Sequence, residues 1–420
     1  MSELTKVLLV GVNLNNDPDF ERDLEELAAL AEACNMEVVG VERQNLDRVN
    51  TGVYVGTGKV DEIKAVAHML EADMVIFDNT LSPMQLRNLN EIIERPIIDR
   101  THLILQIFSS RAKTKEAMIQ VETARLQYEL PRLTGLGQVL SRQGGGSGGL
   151  SNKGAGEKKL ELDKRRIRNR ISELKKELKE IELHRETQRK RRVSQGVPQV
   201  ALVGYTNAGK STIMNALLKK YEADEGKMVF AQNMLFATLD TTVRKIALPD
   251  KKEFLLSDTV GFINKLPHNL VQAFHSTLEE VKYADLLLEV VDYSDPHYKD
   301  HMAVTRETLK ELGAEDIPCI HVFNKCDGIV EDIPKAGNGC IHMAAGKEIG
   351  LDLLVEVICK EIFQDYVQCT MLIPYTEGAL VSYFNDNASV TNVEYLAEGT
   401  QLTMSCLFKD LQKYKEYVII

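Results

Sequence analysis

Val200-Ala201-Leu202-Val203-Gly204-Tyr205-Thr206-Asn207-Ala208-Gly209-Lys210-Ser211 joins a β-branched apolar run to a glycine-rich turn that ends in Lys-Ser. The run reads as a buried strand, and Thr212 to Lys220 reads as the helix that follows. The turn fits Gly-x-x-x-x-Gly-Lys-Ser/Thr, a phosphate-binding loop, in the strand-loop-helix context that the motif requires. Backbone N–H groups of such a loop and of the helix N-terminus face a β-phosphate, and the glycines let the main chain come close. Lys210 is placed to neutralise β/γ-phosphate charge and Ser211 to ligate Mg2+. Gly204 to Thr212 are therefore the expected phosphate contacts, namely Gly204, Tyr205, Thr206, Asn207, Ala208, Gly209, Lys210, Ser211 and Thr212. Asn207 is also a candidate ligand for a monovalent cation, K+, beside the phosphates.

Two further motifs follow in order. Phe254 to Ser257 is an apolar strand that delivers Asp258-Thr259-Val260-Gly261. In this Asp-x-x-Gly, Asp258 holds Mg2+ through water and the Gly261 N–H senses a γ-phosphate. Cys319 to Phe323 is a strand that delivers Asn324-Lys325-Cys326-Asp327. Asn-Lys-x-Asp reads guanine: the Asp327 carboxylate accepts from N1–H and the exocyclic amine, a donor pair that adenine lacks. The Lys325 stem lies along the base. Three motifs at three strand ends predict a domain that binds GTP and GDP.

Between the first two motifs lies Phe236-Ala237-Thr238-Leu239-Asp240-Thr241-Thr242, a candidate first switch. One of its three threonines completes Mg2+ coordination, and the residues alone leave Thr238, Thr241 and Thr242 open. Phe262 stands where many regulatory GTPases carry a glutamine that orients the attacking water. A phenyl ring cannot form that hydrogen bond, so either another group positions the water or hydrolysis waits for a partner. His297 and His301 lack the intervening glutamate of a zinc protease helix and read as a solvent-facing pair.

Residues 1–113 alternate strand and helix patterns, as a parallel sheet with crossover helices requires. Ser82 is a candidate N-cap and Pro83 the first residue of a helix. Lys115 to Leu130 is helical, and so is Glu157 to Arg192. Ile167, Ile171, Leu174, Leu178 and Ile181 are spaced as a coiled-coil seam. These two helices predict an antiparallel hairpin, with a mobile glycine-rich loop from about 133 to 156 at its tip. The expected organisation is an N-terminal α/β domain (1–113), the hairpin (114–195), a Ras-like α/β GTPase domain (196–365) and a small α+β domain (366–420).

Composition narrows the function classes. The chain has 420 residues, 62 acidic against 51 basic side chains, and a net charge of −11, which excludes a generic polyanion binder. Basic residues cluster from Lys158 to Arg170 and again from Arg189 to Arg192, the density that neutralising a nucleic-acid phosphate backbone needs. Interleaved glutamates leave a solvated coiled-coil face as the competing reading. There is no run of apolar residues long enough to span a bilayer, so no integral membrane association is expected, and no signal peptide is recognisable. Seven scattered cysteines with no Cys-x-x-Cys pair read as free, packed thiols in a reducing cytoplasm.

Tyr54-Val55-Gly56-Thr57-Gly58-Lys59-Val60, Leu81 to Leu89, Ile98-Asp99-Arg100-Thr101, Gln127 to Leu133, Glu161 to Ile167, Phe236 to Asp240 and Asp258 to Ile263 together resemble the HflX family of translational GTPases. The resemblance covers about residues 4 to 365. It implies GTP hydrolysis stimulated by the ribosome, binding to the large ribosomal subunit with the hairpin tip near the peptidyl-transferase region, and the splitting of stalled or idle ribosomes under stress. It favours Thr238 as the switch threonine, so that Lys210, Thr238 and Gly261 are the expected catalytic residues and Ser211, Thr238 and Asp258 the Mg2+ ligands. It also implies nucleotide contacts from Phe236, Ala237, Leu239, Asp240, Thr259 and Val260. Ala344-Ala345-Gly346 stands where the family has Ser-Ala-x and supplies a backbone N–H to guanine O6. Thr241 stands where the family has proline, and Gly154-Ala155-Gly156-Glu157 replaces Gly-Pro-Gly-Glu. A cytoplasmic monomer is expected, with peripheral membrane contact left open. Two alternatives stand beside ribosome splitting: a large-subunit assembly GTPase, and a nucleotide-switched module that binds a protein through the hairpin.

Overall fold

The computed structural model describes residues 4–142, 151–194, 197–221, 235–236, 239, 241–249, 252–265 and 280–419. It divides into two compact units. The first holds Met1–Gln188 together with the described residues of Gln232–Asp240 and Gly261–Thr277. The second holds Arg189–Ala231, Thr241–Val260 and Leu278–Ile420.

In the first unit, β1 (Thr5–Leu14), β2 (Met36–Leu46), β3 (Met74–Phe77) and β4 (Ile97–Asp99) form a parallel sheet in the order β2-β1-β3-β4. The crossovers are α1 (Phe20–Ala33), α2 (Thr57–Met69) and α3 (Pro83–Ile93). The α3 N-terminus carries a full capping box: Ser82 Oγ accepts from the Gln85 N–H, and the Gln85 side chain accepts from the Ser82 N–H at 3.0 Å. A helix that the alternating pattern did not suggest, α4 (Arg100–Arg111), follows β4 directly; Leu103, Ile104, Leu105, Ile107 and Phe108 are all buried. Asp99 caps it by accepting from the His102 N–H at 2.9 Å.

The helical hairpin is longer than its periodicity predicted. The first arm, α5, runs Lys115–Arg142 through Pro131, and the second, α6, runs Ser151–Ser194. Arg132 steadies the region of the proline. Its guanidinium lies over the Tyr128 ring at 3.3 Å and donates to Asp99 and the Leu81 carbonyl oxygen. Gly154 and Gly156 were expected in the loop but lie within α6. Each costs only about 1 kcal/mol against alanine, less than a long helix gains by propagating. Residues 143–150, with the run Gly144–Gly149, lie outside the described residues. The seam forms as spaced: Ile167, Ile171, Leu178 and Ile181 pack against the buried Ile119, Leu126 and Leu174. Arg170 pairs with Glu122, and Arg185 with Glu116, across the arms at 3.0 Å each.

In the second unit, seven strands among the described residues are ordered β10-β11-β9-β8-β5-β7-β6. They are β5 (Gln199–Val203), β6 (Thr242–Ala247), β7 (Glu253–Asp258), β8 (Leu286–Asp292), β9 (Cys319–Asn324), β10 (Lys335–Gly337) and β11 (Cys340–His342). The interior pairs are parallel, while the edge strands β6 and β10 run antiparallel. Leu202, Phe254, Leu256, Leu288, Val290 and Val322 form one core with α7 (Lys210–Tyr221) and with Leu354 and Ile358 of a later helix (Leu351–Ile362). The opposite face of the sheet meets α8 (Tyr298–Glu311). Strand order reverses at β5, whose neighbours β7 and β8 both come later in the chain. Open α/β sheets bind ligands beyond the carboxyl end of such a strand. A three-stranded antiparallel sheet ends the unit: Tyr366–Ile373, Gly399–Leu407 and Ser389–Leu396, with Gly378–Asn387 packed on it. No helix among the described residues is long and apolar enough to cross a membrane.

Candidate functional site

The loop after β5 is shaped by two glycines that no other residue can replace. Gly204 has φ +136°, and a Cβ there would stand 2.3 Å from the Val290 carbonyl oxygen. Gly209 has φ +101°, and a Cβ there would stand 2.2 Å from Asn324 Nδ2. Both backbones are thus pressed against the ends of neighbouring strands, where a side chain has no room. Lys210 opens α7 and is buried; its ammonium donates to the carbonyl oxygens of Gly204 and Tyr205 at 2.9 and 2.7 Å. Burial pushes this amine down to about 8, and Asp258 opposes the shift. The Thr206 hydroxyl is also buried in the loop and has no hydrogen-bond partner among the described residues, as suits a group that meets a ligand.

Asp258 ends β7 and is fully buried, with Oδ2 accepting from Ser211 Oγ at 2.7 Å. Two of the three oxygen ligands expected for Mg2+, Ser211 and Asp258, therefore face each other, a hard donor set with one carboxylate of the kind that ion takes. Thr259 is fully buried beside Asp258. Its hydroxyl donates to the Leu202 carbonyl oxygen at 2.7 Å and fastens β7 to β5.

Asn324, at the end of β9, joins three motifs. Its Nδ2 donates to the Ala208 carbonyl oxygen, and its Oδ1 accepts from the Ala345 N–H, both at 2.9 Å. One side chain thus ties the phosphate loop to the Ala344-Ala345-Gly346 turn, where Ala344 and Ala345 are buried and Gly346 exposed. Lys325 extends to Asp292 Oδ2 at 2.6 Å, which fixes its stem. Asp327 is exposed enough to receive a base. The Lys347 ammonium, 2.9 Å away, holds its carboxyl below the usual range.

Asp292 and Lys347 are functional neighbours that the sequence reading missed. Each lies outside the motif it serves, and only the pairing of β8 with β9 and the fold of the turn after β11 bring it in. His301 corrects an expectation. It does not face solvent with His297 but stacks on the loop's Tyr205, ring centroids 3.9 Å apart and planes 11° from parallel.

Thr238, Ala237 and Asp240 lie outside the described residues. Phe236, Leu239, Gly261 and Phe262 belong to the first unit. There Phe236 and Phe262 are buried, and Phe236 meets Phe108 edge to face at 4.7 Å. Just beyond them, Lys265 pairs with the buried Asp23 and Asp78, and the Asn264 amide donates to Asp23 at 3.1 Å.

Comparison with known proteins shows the family. Residues 21–109 match a family described as GTP-binding GTPase N-terminal, 111–192 one described as GTP-binding GTPase Middle Region, and 199–325 one described as 50S ribosome-binding GTPase. GTPase HflX of Caldanaerobacter subterraneus subsp. tengcongensis is 43% identical over 421 residues, 100% of this chain and 96% of that protein. GTPase HflX of Escherichia coli K12 is 38% identical over 385 residues, 90% of this chain and 88% of that one. A solved structure of a GTP-binding protein from Sulfolobus solfataricus in complex with GDP is 25% identical, covers 86% of this chain and 99% of its own, and aligns with a TM-score of 0.46. The chain belongs to the HflX family of GTPases, and it binds GTP and hydrolyses it.

Proposed function

We propose that this GTPase acts on the ribosome: it binds the large subunit, its GTP hydrolysis is stimulated there, and it splits stalled or idle ribosomes under stress. The observation that carries the reading is the match of residues 199–325 to a family described as 50S ribosome-binding GTPase, in a chain that also holds a long helical hairpin. Residues 1–113 and the hairpin 114–195 serve docking, with the tip toward the peptidyl-transferase region and rRNA. Residues 196–365 carry the nucleotide cycle, and 366–420 form an appended domain. The protein works as a cytoplasmic monomer.

Ser211 and Asp258, with Thr238, are the residues to hold Mg2+, which supplies charge neutralisation at the β- and γ-phosphates. Asn207 is the residue to meet K+. Lys210 positions the β/γ-phosphates, and Gly261 offers its N–H to the γ-phosphate. With Phe262 in the glutamine place, the chain has no side chain there to orient water, which accords with hydrolysis that rises on the ribosome.

Sedimentation of the protein with purified subunits and a non-hydrolysable GTP analogue tests the docking. Co-migration with the large subunit is expected, and no association in any nucleotide state would refute it. Adding protein and GTP to intact ribosomes then separates splitting, which yields free subunits, from an assembly role, which does not.

A further inference from the structure

Glu289 and His321 are directly opposed on the parallel neighbours β8 and β9, and Cys319 lies two residues before His321 on the same face. This is the face away from the core that holds Leu288 and Val290. A Glu289 carboxylate oxygen, Cys319 Sγ and a His321 ring nitrogen all lie within 4.8 Å of one another. His321 Nδ1 is 2.7 Å from Glu289 Oε2. Glu289 is only 5% exposed, and its Oε1 has no hydrogen-bond partner among the described residues. A buried carboxylate with an unmet oxygen is costly inside a sheet, and a cation placed against it removes the cost.

We propose that Glu289, Cys319 and His321 form a binding site for a thiophilic divalent transition-metal ion of the Zn2+ type. The donor set is one thiol, one imidazole and one carboxylate. The sulfur selects against Mg2+ and Ca2+, and three protein ligands leave a fourth position for water. Bond lengths of about 2.0–2.3 Å at tetrahedral angles put ligand atoms roughly 3.3–3.8 Å apart, so small side-chain rotations close the site. Cys319 and His321 are half-buried, which gives an ion a path from solvent.

Burial and the Glu289 carboxylate push the Cys319 thiol up to about 12, with Arg306 acting in the opposite direction. The thiol therefore carries its proton at neutral pH, and binding transfers that proton to solvent as the metal–sulfur bond forms. The ion would clamp β8 to β9 three residues before Asp292, which pairs with Lys325, and Asn324, which ties to the phosphate loop.

Titrating metal-free, full-length protein with Co2+ tests the site. One equivalent is expected to produce a thiolate-to-cobalt charge-transfer band, and Zn2+ is expected to displace it. The phosphate loop holds no sulfur, so cobalt bound there gives no such band. Cys319→Ser should abolish the band, His321→Gln should weaken binding by at least about 10-fold, and Cys369→Ser should change neither. In the unaltered protein, Zn2+ should protect Cys319 from alkylation, a readout that does not depend on how the variants fold. Absence of the band, its persistence in Cys319→Ser, or equal alkylation with and without Zn2+ would overturn the proposal.

Discussion

Lys210 is a cation held in a buried site against two carbonyl oxygens, with its proton affinity depressed to about 8. A bound phosphate restores the charged form, so nucleotide binding takes up protons once the pH exceeds about 8. GTP and GDP affinity should therefore be flat below that value and fall as the pH rises through it, as titration with a fluorescent GDP analogue would show. Lys210→Ala should abolish measurable binding at any pH. At the base, Asp327→Asn should shift preference from guanine toward xanthine, whose C2 carbonyl needs a donor in place of an acceptor. Competition between GTP and XTP measures this, and unchanged GTP selectivity would mean that another residue reads the base. The positions of these motifs at strand ends were legible in the sequence because each motif fixes residue type and spacing together. Asp292, Lys347 and His301 were not legible: their partners Lys325, Asp327 and Tyr205 lie 33, 20 and 96 positions away in the chain, and nothing local marks them.

The elements that position the site depend on close approach between strand ends and loops. Asn324 satisfies one acceptor on the phosphate loop and one donor on the Ala344 turn. Asn324→Ala leaves both buried groups without it, at about 1–3 kcal/mol each. It should lower the melting temperature and nucleotide affinity together. A loss of affinity with unchanged melting would contradict its role as a tie. Gly209→Ala should do the same through a different route, since its Cβ would strike Asn324. Strand and helix alternation was readable because core strands such as Val200–Val203 are apolar throughout and the helices are amphipathic. The short strands β10 and β11 were not readable, since three residues carry no period. The hairpin seam was readable from its 3,4 spacing, but its ends were not. Proline and glycine usually mark a stop, and here packing and helix propagation override them.

At the scale of the molecule, net charge conceals a division between acidic bodies and a basic hairpin, and the structure refines it further. Arg168 meets Glu161, Arg166 meets Asp163, and Arg170 meets Glu122 and Glu173, so much of the positive charge on α6 is paired along the hairpin. Replacing Arg165, Arg166, Arg168 and Arg170 with glutamine should reduce ribosome binding and flatten its salt dependence. Little change would favour a protein client on the hairpin.

The first unit also includes residues that follow the Asp-x-x-Gly motif, where Lys265 balances the buried Asp23 and Asp78. Lys265→Ala should destabilise the protein by about 1–2 kcal/mol, after allowance for the partial exposure of the lysine. Those carboxylates hold the ammonium above its ordinary range, so its contribution is complete at neutral pH and is lost only as the pH rises through the raised value. Thermal melts of the two proteins across pH would show the difference. Activation by the ribosome is read from the rate of GTP hydrolysis with and without purified intact ribosomes. A low basal rate that rises when ribosomes are added is expected; the same rate in both cases would rule out such activation.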